Sequence, residues 1–216
     1  MTQTAQAQLP ARERILLTAG ELFYRDGIRA VGVDAIIAES GVAKMSLYRN
    51  FASKDALVVA WLERRDEAYW RRWDAAEASA DTPRGKLEAV LDMVAERVAD
   101  PRWRGCAFLN TCAEFPGDHP AMAVVRRNKT RVRERLRDLA AAAGAGDPAG
   151  LADRLQLLID GAYALGAALG PAGPVGKVAE AGRATIAAGL ASQRRAGDRI
   201  PSQAGGVTKS LSSSSI

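Results

Sequence analysis

The chain has 216 residues, 48% hydrophobic and 25% charged, with a formal net charge of +5. Those values fit a soluble globular protein of one or two domains with a real core, and a charge of +5 suits a nucleic-acid partner without marking one. Two cysteines and a single histidine supply neither a disulfide framework nor a metal-ligand spacing, and no Gly-rich phosphate loop or nucleophile elbow is present.

Residues 1–10 are polar with no apolar signal core, and no run approaches the length of a membrane span. The expectation is a cytoplasmic protein with no membrane partner. Ile15, Leu16, Ala19, Leu22 and Phe23 then recur at helical spacing. Residues 27–55 hold two short apolar-periodic segments separated by Gly41-Val42-Ala43. Ile36, Ile37 and Val42 form the apolar side of the first. Leu47 and Phe51, four apart, lie on one face of the second. Lys44, Ser46, Tyr48, Arg49 and Asn50 interleave on the exposed side. Gly41 stands where the chain must turn sharply, and Ser53 reads as the cap of the next helix. Two readings fit this spacing: ordinary packed helices of an all-α domain, or a helix-turn-helix whose second helix enters the major groove of DNA. From Arg12 to Asp55 there are seven basic and six acidic side chains. DNA affinity would therefore rest on the placement of a few cations.

The stretch Ala38-Glu-Ser-Gly-Val-Ala-Lys-Met-Ser-Leu-Tyr-Arg-Asn-Phe-Ala-Ser-Lys-Asp-Ala-Leu57, with Arg14 to Gly27 before it, resembles the N-terminal domain of the tetracycline-repressor (TetR) family of bacterial regulators. The resemblance implies a three-helix DNA-binding domain, a larger helical ligand domain and a homodimer. It places Lys44, Met45 and Ser46 at base edges or nearby phosphates, Tyr48 and Lys54 on the DNA backbone, and Arg49 and Asn50 on either. Some positions depart from the family pattern. Gly32 and Ala43 stand where a Ser or Thr often caps a helix, and Ala is a poor cap. Ile37 and Met45 replace smaller residues.

A long helix follows Ser53 through Leu57, Val58, Trp61, Leu62, Tyr69 and Trp73. Thr82-Pro83 opens the next, with Leu87, Val90, Leu91, Val94 and Val98, and Pro101 ends it. A short segment, Cys106 to Phe115, precedes a Pro116-Gly117 break. A helix with Val125, Val132, Leu136 and Leu139 comes next. Asp147-Pro148 opens another, with Leu151, Leu155, Leu158 and Leu165. The last runs from Val175 to about Arg195. Nothing alternates with period two, so the fold is expected to be all-α with nine helices, three in the DNA reader and six in a bundle. The expected division is 1–10 flexible, 11–57 helix-turn-helix domain, 58–195 ligand-binding and dimerisation domain, and 196–216 a disordered Gly/Ser-rich tail.

Four further features admit two readings each. The last two helices are dense in Gly and Ala, including Gly161, Gly166, Gly182, Ala184 and Gly189. Such residues serve tight packing within one chain or a four-helix subunit interface. The basic run Arg126 to Arg137 is a solvated face or an anion contact. The aromatics fill the core or line a ligand pocket, with Trp70, Trp73, Trp103, Cys106, Phe108 and Phe115 as the candidate ligand-binding set. Cys106, at a helix start, is either a packed small residue or a redox sensor. Arg104-Gly-Cys-Ala-Phe-Leu-Asn110 resembles a stretch in one branch of the family's C-terminal domains.

No acid–base or nucleophile constellation is visible, so no catalytic residue, metal or cofactor is assigned. The expected protein is a homodimeric regulator that binds double-stranded operator DNA, most often as a repressor, and is released by a small organic effector. The alternative is a helical small-molecule-binding protein with a vestigial DNA reader.

Overall fold

The computed structural model describes residues 8–170 and 172–197. Among them the chain forms nine α-helices and one 3-10 turn, without a strand, as the periodicity implies. The helices are α1 (Ala11–Asp26), α2 (Val33–Ser40), α3 (Lys44–Asn50), α4 (Lys54–Ala78) and α5 (Pro83–Ala99). They continue as α6 (Ala107–Glu114), α7 (Ala121–Ala142), α8 (Pro148–Leu169), the 3-10 turn Pro174–Lys177 and α9 (Val178–Gly197). The last helix runs slightly past the expected end at Arg195. Most of the expected tail lies outside the described residues, as do residues 1–7.

The cap chemistry explains where several helices begin. Ser53, Thr82 and Asp147 each accept the backbone N–H three residues on, from Ala56, Gly85 and Gly150. Proline occupies the first turn of α5 and α8, where its missing N–H costs nothing. Gly32 and Ala43 begin α2 and α3 with no side-chain cap bond.

Helix α1 packs on α2, α3 and α4. Its apolar stripe, Ile15, Leu16, Ala19, Leu22 and Phe23, is buried. Helix α4 is continuous across the boundary expected at residue 57, so one rigid rod joins the DNA reader to the bundle. Phe23 of α1 meets Trp61 of α4 edge-on at 5.6 Å between ring centroids. A Cβ at Gly20 would lie 2.8 Å from the Trp61 ring, so only glycine permits this approach. Helices α5, α7, α8 and α9 form the rest of the bundle, with α6 packed on α7.

Two ambiguities of the sequence resolve here. The basic run on α7 is laced to acids on neighbouring helices: Arg127 to Glu63, Lys129 to Asp160, Arg133 to Asp153, and Arg135 to both Asp74 and Glu77. Arg131 lies over the Trp70 ring, 3.9 Å from its centroid. The small residues of α8 and α9 divide into two sets. A Cβ at Gly166 would crowd Trp103 and Val98 at 3.2 Å, one at Gly182 would overlap Leu91, and one at Gly189 would lie 2.9 Å from Leu151. Those three serve packing within one chain, the first of the two readings open for these residues. Ala164, Ala168, Ala184, Ala187 and Ala188 are exposed, with Gly161 half-buried.

Candidate nucleic-acid interface and effector cavity

Helix α3 is held from beneath and open above. Leu47 and Phe51 are buried in the same core cluster as Ile36 and Val42. Because residues four apart share a face of a helix, burying Leu47 and Phe51 leaves Lys44, Met45, Tyr48 and Arg49 off the packed face, and all four are exposed. Met45 is 66% exposed and Tyr48 45% exposed, although both are large and largely apolar. Neither contributes to the core, so both are available to a partner. Ser46 and Asn50 are half-buried, and the Asn50 amide donates to the Ser46 carbonyl at 2.8 Å. Asn50 is thus turned back onto its own helix.

The turn before α3 is fixed by two devices. Gly41 takes the left-handed conformation (φ 64°) that non-glycine residues adopt only at a cost. Arg14 of α1 then donates to the carbonyls of Ser40 and Gly41, at 2.7 Å from Nη2 to each. Those carbonyls close α2 without intrahelical partners, so a cation from another helix satisfies them. Arg12 stacks its guanidinium over Phe51 at 5.1 Å. At the rim, Lys44 pairs loosely with Asp34 at 3.4 Å. Lys54 reaches the Arg29 carbonyl at 3.4 Å, and partial burial lowers its pKa against the opposing pull of Asp55 and Glu114.

In the bundle a cavity of about 30 Å³ opens between α4, α5, α6 and α8. Its floor is buried and aromatic: Tyr69, Phe108 and Tyr163, with Cys106 and Ala107. Burial pushes both tyrosine hydroxyls well above their ordinary pKa. Its mouth is formed by Arg65, Arg72, Arg97 and Trp103. Of the residues proposed from sequence, Trp103, Cys106 and Phe108 line this space. Trp70 and Trp73 lie behind Tyr69 and donate instead to Asp66 and Glu77 of their own helix. Phe115 lies outside the cavity, stacked on His119 at 3.9 Å. Sequence reasoning missed the arginines and Tyr163. The signal was present for two of them: residues 65, 69 and 72 share one face of α4 by the 3.6-residue period. Cys106 is buried and Cys112 exposed, and both thiols are free.

Two hydrogen-bonded links join the cavity wall to the DNA reader. Tyr24 of α1 accepts the Arg104 N–H and donates to the Gly105 carbonyl, both at 3.0 Å. Glu114, the last residue of α6, accepts the N–H groups of Ile28 and Arg29 at 3.0 and 2.7 Å. On the far side, α8 and the 3-10 turn carry an apolar face. Leu157, Leu165 and Leu169 on it are 74%, 42% and 56% exposed. Among the described residues no helix is long and apolar enough to cross a membrane, and no cluster of His, Cys, Asp or Glu is placed to hold a metal.

A three-helix reader with an uncovered third helix, rigidly joined to a helical bundle with an internal cavity, defines a ligand-responsive helix-turn-helix regulator. The comparisons agree. The bacterial regulatory proteins of the tetR family match at residues 15–61, and the C-terminal domain of the BetI-type transcriptional repressors matches at residues 83–194. A TetR-family transcriptional regulator from Streptomyces coelicolor is 34% identical, with a TM-score of 0.77 over 85% of this chain and 95% of its own. One from Streptomyces avermitilis is 32% identical, with a TM-score of 0.75 over 84% and 98%. The transcriptional activator FasR of Mycolicibacterium smegmatis is 42% identical over 60 residues, only 26% of this chain and 27% of that protein. The chain belongs to the TetR family of transcriptional regulators, whose members are ligand-responsive DNA-binding proteins, mostly repressors and in some cases activators.

Proposed function

We propose that the chain is a homodimeric repressor released from its operator by a small molecule held in the α4–α8 cavity. The observation that carries the DNA half is the exposure of Lys44, Met45, Tyr48 and Arg49 on a helix whose opposite face is anchored by Leu47 and Phe51. Lys44, Met45 and Ser46 meet base edges or the phosphates beside them, and Tyr48 and Lys54 hold the DNA backbone. Arg49 is free to do either, while Asn50 stiffens α3. The exposed face of α8 and α9 meets its copy, which sets two α3 helices about one DNA turn apart, roughly 34–36 Å. The small molecule acts by population shift: it favours a spacing of the two readers that the operator does not fit.

The test is binding of the purified protein to DNA upstream of its own gene, followed by fluorescence anisotropy across a salt series. Tyr48→Ala should weaken binding to all sequences alike and flatten the salt slope, since phosphate contacts position without specifying. Lys44→Ala should change preference at particular base pairs by roughly 1–3 kcal/mol. Unchanged affinity in both variants would defeat the reading and leave the helical ligand-binding protein with a vestigial reader.

A further inference from the structure

We infer that the α4–α8 cavity takes a small aromatic acid, its oxyanion gripped by Arg65 and Arg72 and its ring laid against Tyr163 and Phe108. This rests on the reading of that cavity as the effector site, and it names the chemistry the site selects.

The argument starts from charge. Three guanidinium groups, Arg65, Arg72 and Arg97, line one small space, and no carboxylate lines it with them. Arg97 is paired with Asp100 at 3.2 Å. Among the described residues, Arg65 and Arg72 make no ion pair. Arg65 has only the face of the Tyr24 ring, 4.5 Å from its centroid. Elsewhere the chain pairs its arginines readily, as the run on α7 shows. Partial burial lowers the pKa of both unpaired guanidiniums, and the neighbouring Arg97 lowers them further. Like charges gathered without a counter-ion repel one another, and an anion placed between them relieves that repulsion. The planar fork of arginine matches a carboxylate or phosphate with two parallel hydrogen bonds.

The rest of the lining selects the remainder of the ligand. Tyr69, Phe108 and Tyr163 are buried around the floor, so an aromatic body is favoured over an extended polar one. Cys106 begins α6 with no side-chain cap bond, so the first N–H groups of that helix add positive potential at the same wall. A cation of the same shape is repelled by every charged group at the mouth.

Size sets the mode of binding. About 30 Å³ holds a water or two, against roughly 300 Å³ for an occupied small-molecule site. A ring must therefore displace something. Trp103 is the half-exposed side chain whose ring lies tilted against Tyr163, 5.1 Å between centroids, and its indole N–H reaches the Tyr163 carbonyl at 3.3 Å. A ligand ring that replaces Trp103 against Tyr163 moves the 100–106 loop, which Tyr24 ties to the DNA reader.

The experiment uses the full chain with benzoate and phenyl phosphate as probes, and benzamide and benzylamine as neutral and cationic shapes of similar size. Affinity is read by calorimetry and by tryptophan fluorescence. At least one acid should bind about tenfold or more tightly than the amide and the amine. Arg72→Gln, at a position outside the buried core, should abolish that preference with unchanged thermal unfolding. Equal binding of acid and amide, binding of neither acid at millimolar concentration, or an acid preference that survives Arg72→Gln would each overturn the inference. Operator affinity without ligand is measured in parallel. An acid-binding chain that ignores DNA defeats the regulator and spares this inference, whereas an operator-binding chain blind to both acids does the reverse.

Discussion

The Tyr24 hydroxyl donates to the Gly105 carbonyl at 3.0 Å, joining the first helix of the DNA reader to the wall of the α4–α8 cavity. The same oxygen accepts the Arg104 N–H, and the ring beneath it carries the Arg65 guanidinium. One side chain thus touches the reader, the loop that closes the cavity and a cation at its mouth. A ligand that draws Arg65 or displaces the loop must alter what Tyr24 holds.

Tyr24→Phe removes both hydrogen bonds and keeps the ring under Arg65. Two neutral bonds at about 0.5–1.5 kcal/mol each put the expected loss at roughly 1–3 kcal/mol, read from the urea midpoint. Operator affinity without effector should stay close to wild type, because α3 itself is untouched. The effector-induced drop in affinity should shrink, because one of two links is gone and Glu114 remains. An undiminished response in this variant would show that Tyr24 transmits nothing.

The reader also carries a defect that can be repaired. Ala43 begins α3 in an extended conformation (φ −68°, ψ 145°) suited to a cap, yet offers no oxygen to the free N–H groups. The residue is exposed, so a hydroxyl meets no steric bar. Ala43→Ser should raise stability by about 1 kcal/mol, seen as a higher urea midpoint with an unchanged slope. A midpoint that stays put or falls would mean that Ala43 is not the cap this backbone geometry defines.

Alkaline pH supplies a different test. Burial raises the pKa of Tyr69 and Tyr163, so the folded chain holds these protons more tightly than the unfolded one. The stability this contributes is fully present below about pH 10, the ordinary tyrosine value, and is lost as pH rises beyond it. Each group contributes a slope of up to about 1.4 kcal/mol per pH unit there. Tyr163→Phe should therefore flatten the alkaline limb of a stability–pH profile measured by denaturant titration. An unchanged limb would mean that Tyr163 is not held protonated by burial.

Much of this architecture was legible in the sequence, because helices announce themselves through apolar period and caps. Ser53, Thr82 and Asp147 each cap the helix they were expected to cap, and Gly41 takes the left-handed turn. The outward residues of α3 followed from burying Leu47 and Phe51. The cavity was harder to read. Aromatic identity does not say which way a ring points: Trp70 and Trp73 are one turn or less from Tyr69, yet only Tyr69 reaches the space. Long-range partners leave no local trace either. Nothing in the neighbourhood of Glu114 announces the N–H groups of Ile28 and Arg29, and nothing near Arg14 announces the carbonyls of Ser40 and Gly41.

The α8 face separates assembly from folding through two nearby positions. Leu157 projects 74% exposed from an apolar groove that also includes Leu158, Gly161, Leu165 and Val178. Gly166, little more than two turns further along the same helix, is packed against Val98 and Trp103. Leu157→Glu places a charge where a second copy would bury it, and costs the isolated chain almost nothing. The expected product is a folded monomer by sedimentation, with normal thermal unfolding and sharply weakened binding to a palindromic operator. Gly166→Leu instead forces a side chain into a closed contact, at a cost of roughly 1–3 kcal/mol or more. That variant should lose thermal stability before it loses its partner. A Leu157→Glu protein that still sediments as a dimer would place the subunit interface elsewhere, and a Gly166→Leu chain as stable as wild type would show that the α8 contact yields.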